Sequence, residues 1–303
     1  MLGRALLWAA EKKRIERFVT EGKLSRNVVD RFVAGEKLED AVTVIRRLNA
    51  RGIGGILNML GEGVTDPAGA QAAADAYLTS IKRVEETGID TTVSVKPTQL
   101  GLPFDKGVAI DHLRRLAAEA EAAGTAIEID MEQSEYVFDT IDLYRSLHPD
   151  FPGLRLAIQA YLRRTPVDLE TMAALKPKVR LVKGAYAEPV EVAFQSRAEV
   201  TAQYRFLIDW LFERGTDPGI ATHDERLLDH ARDIADQKGN GKDTFEIQML
   251  YGVHRELQDQ LANKGYRVRT YVPFGSAWYP YLMRRLAERP ANIRFFMRAL
   301  VRG

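Results

Sequence analysis

The sequence predicts one α/β domain folded as a (β/α)8 barrel, with extra N-terminal helices and a final helix over the barrel mouth. Three observations carry that prediction. After Arg51 the chain divides into eight short apolar runs, each followed by an amphipathic stretch. The runs recur at roughly 22 to 40 residues, the spacing of βαβ crossover units. The phosphate turns of open nucleotide-binding sheets, GxGxxG and GxxxxGK(S/T), are absent, and Gly52-Ile53-Gly54-Gly55 lacks their spacing.

The runs occupy 54–60, 91–96, 126–131, 154–160, 179–185, 219–223, 245–250 and 266–272. Several are rich in Val, Ile and Thr, and continuous apolar runs suit parallel strands covered on both faces. Residues 4–50 show helical spacing instead, as in Ile15, Phe18 and Val19, or Ala41, Val42, Ile45 and Leu48. This divides the chain into a helical segment, 1–50, packing on a barrel, 51–303. Helix punctuation fits: Thr65-Asp66-Pro67 opens one helix, and Gly88, Gly124, Gly215, Gly239 and Gly265 stand where helices should stop. Pro280 is expected to open the last helix and Pro290 to end it.

Composition narrows the function. A chain of 303 residues suffices for two average domains or one large barrel, and no Pro- or Ser-rich linker splits it. Forty-three Lys and Arg against 42 Asp and Glu leave a net charge of +1, which argues against a surface that tracks nucleic-acid phosphates. Without cysteine there is no disulfide, catalytic thiolate or Cys-ligated metal. The five His lack HExxH spacing, so no metal site is expected. The apolar stretch at residues 1–10 falls far short of the ~20 residues that cross a bilayer, and no signal cleavage region follows it. Cytoplasmic residence is the expectation.

In such barrels functional groups gather at the C-terminal ends of the strands. Here nearly every run carries a polar residue at that end: Lys96, Asp130, Gln159, Lys183, His223, Gln248 and Tyr271. Each has a duller reading alone. Lys96 could reach solvent, Asp130 could cap a helix, and His223 could be a core histidine. Their joint placement at one end favours a site. Arg180 and Lys183, three apart on one strand, point to opposite faces if it is regular, and Gly184 admits close backbone approach to a ligand. Tyr281, Arg284, Arg285 and Glu288 share one face of the last helix. Adjacent guanidiniums grip a carboxylate through parallel hydrogen bonds, and Tyr271 and Tyr281 offer flat walls. The ligand implied is a small carboxylate with an apolar ring.

The pattern Tyr-x-x-Arg-Arg-x-x-Glu-x-x-x-Asn, Tyr281 to Asn292, resembles the C-terminal signature of the proline dehydrogenases. Arg180-Leu-Val-Lys-Gly-Ala-Tyr186 is similar to their flavin-contacting strand, with Lys96 and Thr222-His223 in matching order. The resemblance runs from about residue 50 to the end. It implies FAD at the barrel mouth and oxidation of L-proline to Δ1-pyrroline-5-carboxylate, by hydride transfer from C5 to flavin N5. Electrons would pass to a quinone. By the same resemblance, Arg284 and Arg285, assisted by Lys96, bind the substrate carboxylate, while Leu250, Tyr271 and Tyr281 enclose its ring. Asp130 orients the amine side, and Arg180 sits beside the flavin. Met131, Gln159, Lys183, Gly184, Ala185, Tyr186, Thr222, His223 and Gln248 complete the cofactor set. Glu62, a lone carboxylate between Gly61 and Gly63, is expected to pair with Arg284 as a gate.

Bifunctional relatives add a glutamate-semialdehyde dehydrogenase, which needs a catalytic Cys and several hundred more residues. The expectation is therefore a monofunctional bacterial type with a separate enzyme oxidising the product. Leu2, Leu6, Leu7 and Trp8, followed by Lys12, Lys13 and Arg14, could touch a membrane surface, although packing on the barrel is the simpler reading. The rival function is a Schiff-base aldolase using Lys183 or Lys96, with Asp130 as acid/base. It leaves the paired arginines and the tyrosines without a role.

Overall fold

A computed structural model describes residues 31–61, 63–239 and 241–288, the last five of them by their backbone only. Eight strands form the sheet: β1 (Gly54–Met59), β2 (Thr91–Val95), β3 (Ile127–Ile129), β4 (Arg155–Gln159), β5 (Val179–Val182), β6 (Gly219–Ala221), β7 (Glu246–Leu250) and β8 (Arg267–Phe274). Each pairs in parallel with the next, and β8 pairs with β1 to close the barrel. Helix α1 (Leu38–Asn49) precedes it. The crossovers are α2 (Pro67–Thr87), α3 (Lys106–Ala122), α4 (Val137–Leu147), α5 (Thr165–Glu170), α6 (Arg197–Arg214), α7 (Glu225–Gln237) and α8 (Arg255–Asn263), and α9 (Trp278–Glu288) follows β8.

Local chemistry sets the helix ends. The Asp66 carboxylate accepts from Gly69 N at 2.8 Å with Pro67 in the first turn, and α2 stops at Gly88 in the left-handed region, φ 61°. Asp105 caps α3 and Ser196 caps α6 in the same way. These caps satisfy backbone donors that a helix leaves open at its start. Pro280, expected to open the last helix, instead sits in its third position, where the missing N–H still breaks no helical hydrogen bond. Pro290 lies outside the described residues, as do Ile15, Phe18 and Val19. Of the N-terminal segment, α1 lays Ala41, Val42, Ile45 and Leu48 into the core against β8 and β1.

Period-two alternation along the strands separates two environments. Outward residues such as Val93, Val95, Ile129, Leu156, Leu181 and Ile247 are buried beneath the helices. Inward residues are largely polar, which their contacts establish: Arg155 of β4 meets Glu246 of β7, and Gln248 of β7 meets Glu128 of β3. These strands are not neighbours, so such contacts cross the interior. Gly219 makes room, since a Cβ there would stand 2.6 Å from Arg155 Nη1. At the base, Glu246 accepts from Arg155 Nη1 at 3.0 Å, Arg269 Nε at 3.0 Å and Gln248 Nε2 at 2.7 Å. Asp217 accepts from Arg155 and Arg267 at 2.8 and 2.6 Å.

Three runs end at least two residues sooner than their apolar pattern suggests; β6 stops at Ala221, before Thr222 and His223. β5 stops at Val182, because Gly184 turns the chain at φ 106°. β3 shrinks to three residues, since Asp130 and Met131 already belong to the mouth. β8 runs longer, to Phe274, which places Tyr271 within the strand. The helix after β4, α5, has only six residues. The segment beyond Gly184 folds back beside it, with Phe194 N donating to Tyr161 O at 2.8 Å and Arg163 N to Val192 O at 3.0 Å.

Candidate active site

The C-terminal ends of the strands border a cavity of about 900 Å3. Asn58 enters from β1, Lys96 from just beyond β2, Asp130 from beyond β3 and Gln159 from the end of β4. Arg180 rises from β5, with Lys183, Gly184, Ala185 and Tyr186 on its loop. Thr222 and His223 follow β6, Gln248 and Leu250 belong to β7, and Tyr271 to β8. Met131 and Tyr281 of α9 complete this part of the wall. The residues selected in the sequence for cofactor contact therefore share one cavity with Lys96, Asp130, Leu250, Tyr271 and Tyr281. The side chains of Arg284, Arg285 and Glu288 lie outside the described residues, and so do Glu62 and Asn292.

Asp130 organises the centre. Its Oδ1 accepts from Ser94 Oγ at 2.6 Å and from Arg180 Nη2; its Oδ2 accepts from Lys96 Nζ and Tyr271 OH, each at 2.8 Å. Four donors fill the four acceptor positions of a carboxylate. Lys96 Nζ also donates to Asn58 Oδ1 at 2.9 Å, and the Arg180 guanidinium lies 5.3 Å from the centroid of the Tyr271 ring. The helix-cap reading of Asp130 and the solvent reading of Lys96 do not hold: both side chains are largely buried and paired with each other. His223 is only half-buried, so the core reading does not hold; it lines the cavity, and its Nε2 accepts from Leu250 N at 3.0 Å.

Burial pushes the Asp130 carboxyl up, but Lys96 and Arg180 outweigh it and hold the group well below the usual carboxylate range. Burial pushes Lys96 down, and Asp130 overrides it, so the ammonium stays protonated far above the ordinary lysine range. Burial and the Asp130 charge both push Tyr271 up, keeping it a phenol. At neutral pH the cluster therefore holds a carboxylate, an ammonium, a guanidinium and a neutral hydroxyl. A Schiff-base lysine must shed its proton to attack a carbonyl. Asp130 opposes that at Lys96, which removes the buried nucleophile of the aldolase reading. Lys183 is ion-paired with Asp224 at 3.1 Å.

Several buried polar atoms here lack a hydrogen bond: Gln159 Oε1, Gln248 Oε1 and Arg180 Nε, whereas Arg180 Nη1, also without one, faces Glu128 Oε2 at 3.4 Å rather than the cavity. Buried polar atoms are normally paired, so this concentration marks where a ligand with its own donors and acceptors belongs. Gly184 allows the fit of the β5 loop, since a Cβ there would stand 2.1 Å from Tyr161 Cδ1.

The sequence reading missed Asn58, Ser94, Glu128, Tyr161 and Asp224. Thr92, Ser94 and Lys96 alternate along one strand, as do Glu128 and Asp130, and this period of two was the available signal. Nothing local in the sequence marks Asn58 or Tyr161.

A family model described as proline dehydrogenase matches residues 41–298. Proline dehydrogenase of Deinococcus radiodurans is 37% identical over 99% of this chain and 98% of its own length. Proline dehydrogenase 1 of Bacillus subtilis (strain 168) is 35% identical, with both chains covered in full. Among solved structures, proline utilization A from Bdellovibrio bacteriovorus superposes with a TM-score of 0.82 at 23% identity, over 94% of this chain and 38% of that one, and shares the barrel. With the closed barrel, the match over most of its length and the near-complete coverage of these relatives, the chain belongs to the proline dehydrogenase family.

Proposed function

We propose that this protein oxidises L-proline to Δ1-pyrroline-5-carboxylate, the first step of proline catabolism, using FAD seated in the barrel-mouth cavity. Family membership supports the substrate. The observation that carries the cofactor is the set of buried polar atoms without hydrogen bonds on Gln159, Gln248 and Arg180. Gln159 and Gln248 offer acceptors to ring N–H groups, and Arg180 offers donors and a fixed positive charge. Lys183, Gly184, Ala185, Tyr186, Thr222, His223 and the Met131 backbone would hold the remainder. When bound, the flavin supplies the hydride acceptor, N5, for the hydrogen on proline C5.

The side chains divide the remaining work. Lys96 places an ammonium for the proline carboxylate, joined in this reading by Arg284 and Arg285. Leu250, Tyr271 and Tyr281 form the apolar wall that positions the ring and excludes water. Arg180 favours negative charge developing in the cavity. Asp130 has no acceptor position left, so its part is to hold Lys96, Arg180 and Tyr271 in register, and the amine proton must leave before the ring docks. The value of kcat/KM is accordingly expected to rise with pH until the proline nitrogen is deprotonated. A fall of kcat/KM with rising pH through that range would contradict it.

Glu62 and Arg284 would close over bound substrate, a quinone would take the electrons, and a separate dehydrogenase would oxidise the product. Among the described residues no helix is long and apolar enough to cross a membrane. Cytoplasmic residence, with peripheral membrane contact through the first residues, belongs to the same proposal.

The decisive experiment is anaerobic mixing with L-proline. Purified protein should be yellow and should bleach; a colourless protein that takes up no added FAD would sink the reading. Gly184→Ala should keep its far-UV circular dichroism and lose FAD affinity at least roughly tenfold, because the β5 loop must move off Tyr161 and leave φ 106°. Full flavin content in that variant would separate Gly184 from cofactor binding.

A further inference from the structure

Glu128 lies one strand period below Asp130 on β3 and does not line the cavity. It is 1% exposed, and its Oε2 stands 3.4 Å from Arg180 Nη1. Thr92 Oγ1 donates to Oε1 at 2.7 Å, and Gln248 Nε2 lies 3.3 Å from Oε2. Arg180 is therefore held between two carboxylates: Asp130 and Ser94 engage Nη2 at the cavity, and Glu128 faces Nη1 from the interior.

We propose that Glu128 is a positioning residue for the oxidation, one that fixes the Arg180 guanidinium and sets how much of its positive charge reaches the cavity. The assignment rests on the flavin reading above. Arg180 is the charged group of β5 that borders the cavity, and its Nε and Nη1 carry no hydrogen bond. A carboxylate at its back subtracts from the field it projects forward, and in a buried setting that subtraction is weakly screened. Thr92 moderates the effect by sharing the Glu128 charge through its hydroxyl. The barrel thus regulates an oxidant from a layer that touches neither substrate nor cofactor.

The test is the two-electron reduction potential of the bound flavin, measured against a reference dye with a chemical reductant, so that it does not depend on proline. Glu128→Gln keeps the shape and removes the charge. It should raise the potential by about 30 mV, a roughly tenfold shift of the equilibrium towards reduced flavin. Thr92→Val keeps the carboxylate and strips its hydroxyl donor, so the potential should move the other way by less. A purely structural Glu128 would change the melting temperature of either variant and leave both potentials at the wild-type value, and that result overturns the proposal. If one variant fails to fold, the sign of the other decides. Flavin that binds but is not bleached by proline would defeat the function proposed above while this measurement still stands. Protein that binds no flavin would overturn both.

Discussion

Asp130→Ala should abolish proline oxidation and also unfold at markedly lower denaturant than the wild type. Removing this carboxylate strands two buried cations, Lys96 and Arg180, and leaves the Tyr271 and Ser94 hydroxyls without their acceptor. Breaking a buried ion pair by deleting one partner costs about 3–5 kcal/mol. Repulsion between the freed cations would displace Arg180 and Lys96 together, so kcat/KM should fall by several orders of magnitude. Urea titration and steady-state kinetics on the same preparation check both halves. Asp130→Asn should recover part of the stability, since the amide oxygen still accepts, and little of the activity. A wild-type urea midpoint for the alanine variant would show that the cluster is not held as described.

Glu246→Ala, at the opposite end of the interior, should cost a similar about 3–5 kcal/mol, yet leave the mouth intact enough to turn over. Burial pushes the Glu246 carboxyl up, but Arg155 and Arg269 outweigh it and bring it down to about 2, from 4.5. A group whose folded value is depressed contributes its stability above its unfolded value and loses it as pH falls through the folded one. The wild type should therefore lose this group's contribution to stability as pH falls from about 4.5 through the depressed folded value. The alanine variant should show correspondingly less pH dependence over that window. Parallel stability profiles for the two proteins would rule Glu246 out as the acid-sensitive group.

The strands were legible because helices cover their outer faces, which writes Val, Ile and Leu at alternate positions in most runs. The mouth was legible for a related reason: polar residues such as Lys96, Asp130 and His223 close runs that are otherwise apolar. The interior was not. Arg155 and Glu246 are 91 residues apart, and nothing local distinguishes Arg155 at the start of β4 from a charge marking a solvent boundary. Arg267 and Arg269 alternate with Val268 and Thr270, a pattern that reads equally as a half-exposed strand. Only closure of the sheet turns those arginines towards Asp217 and Glu246. Asn58 was hidden because an amide within an apolar run carries no directional signal.

Ions rather than branched hydrocarbons fill much of the space enclosed by β1–β8. Hydration of charged groups becomes less favourable on warming, so the penalty for keeping these side chains dry shrinks as temperature rises. A hydrocarbon-filled barrel has no equivalent reserve. Heat should weaken the outer helical shell before this axial column, leaving the innermost strands as the last part of the molecule to exchange their amide protons.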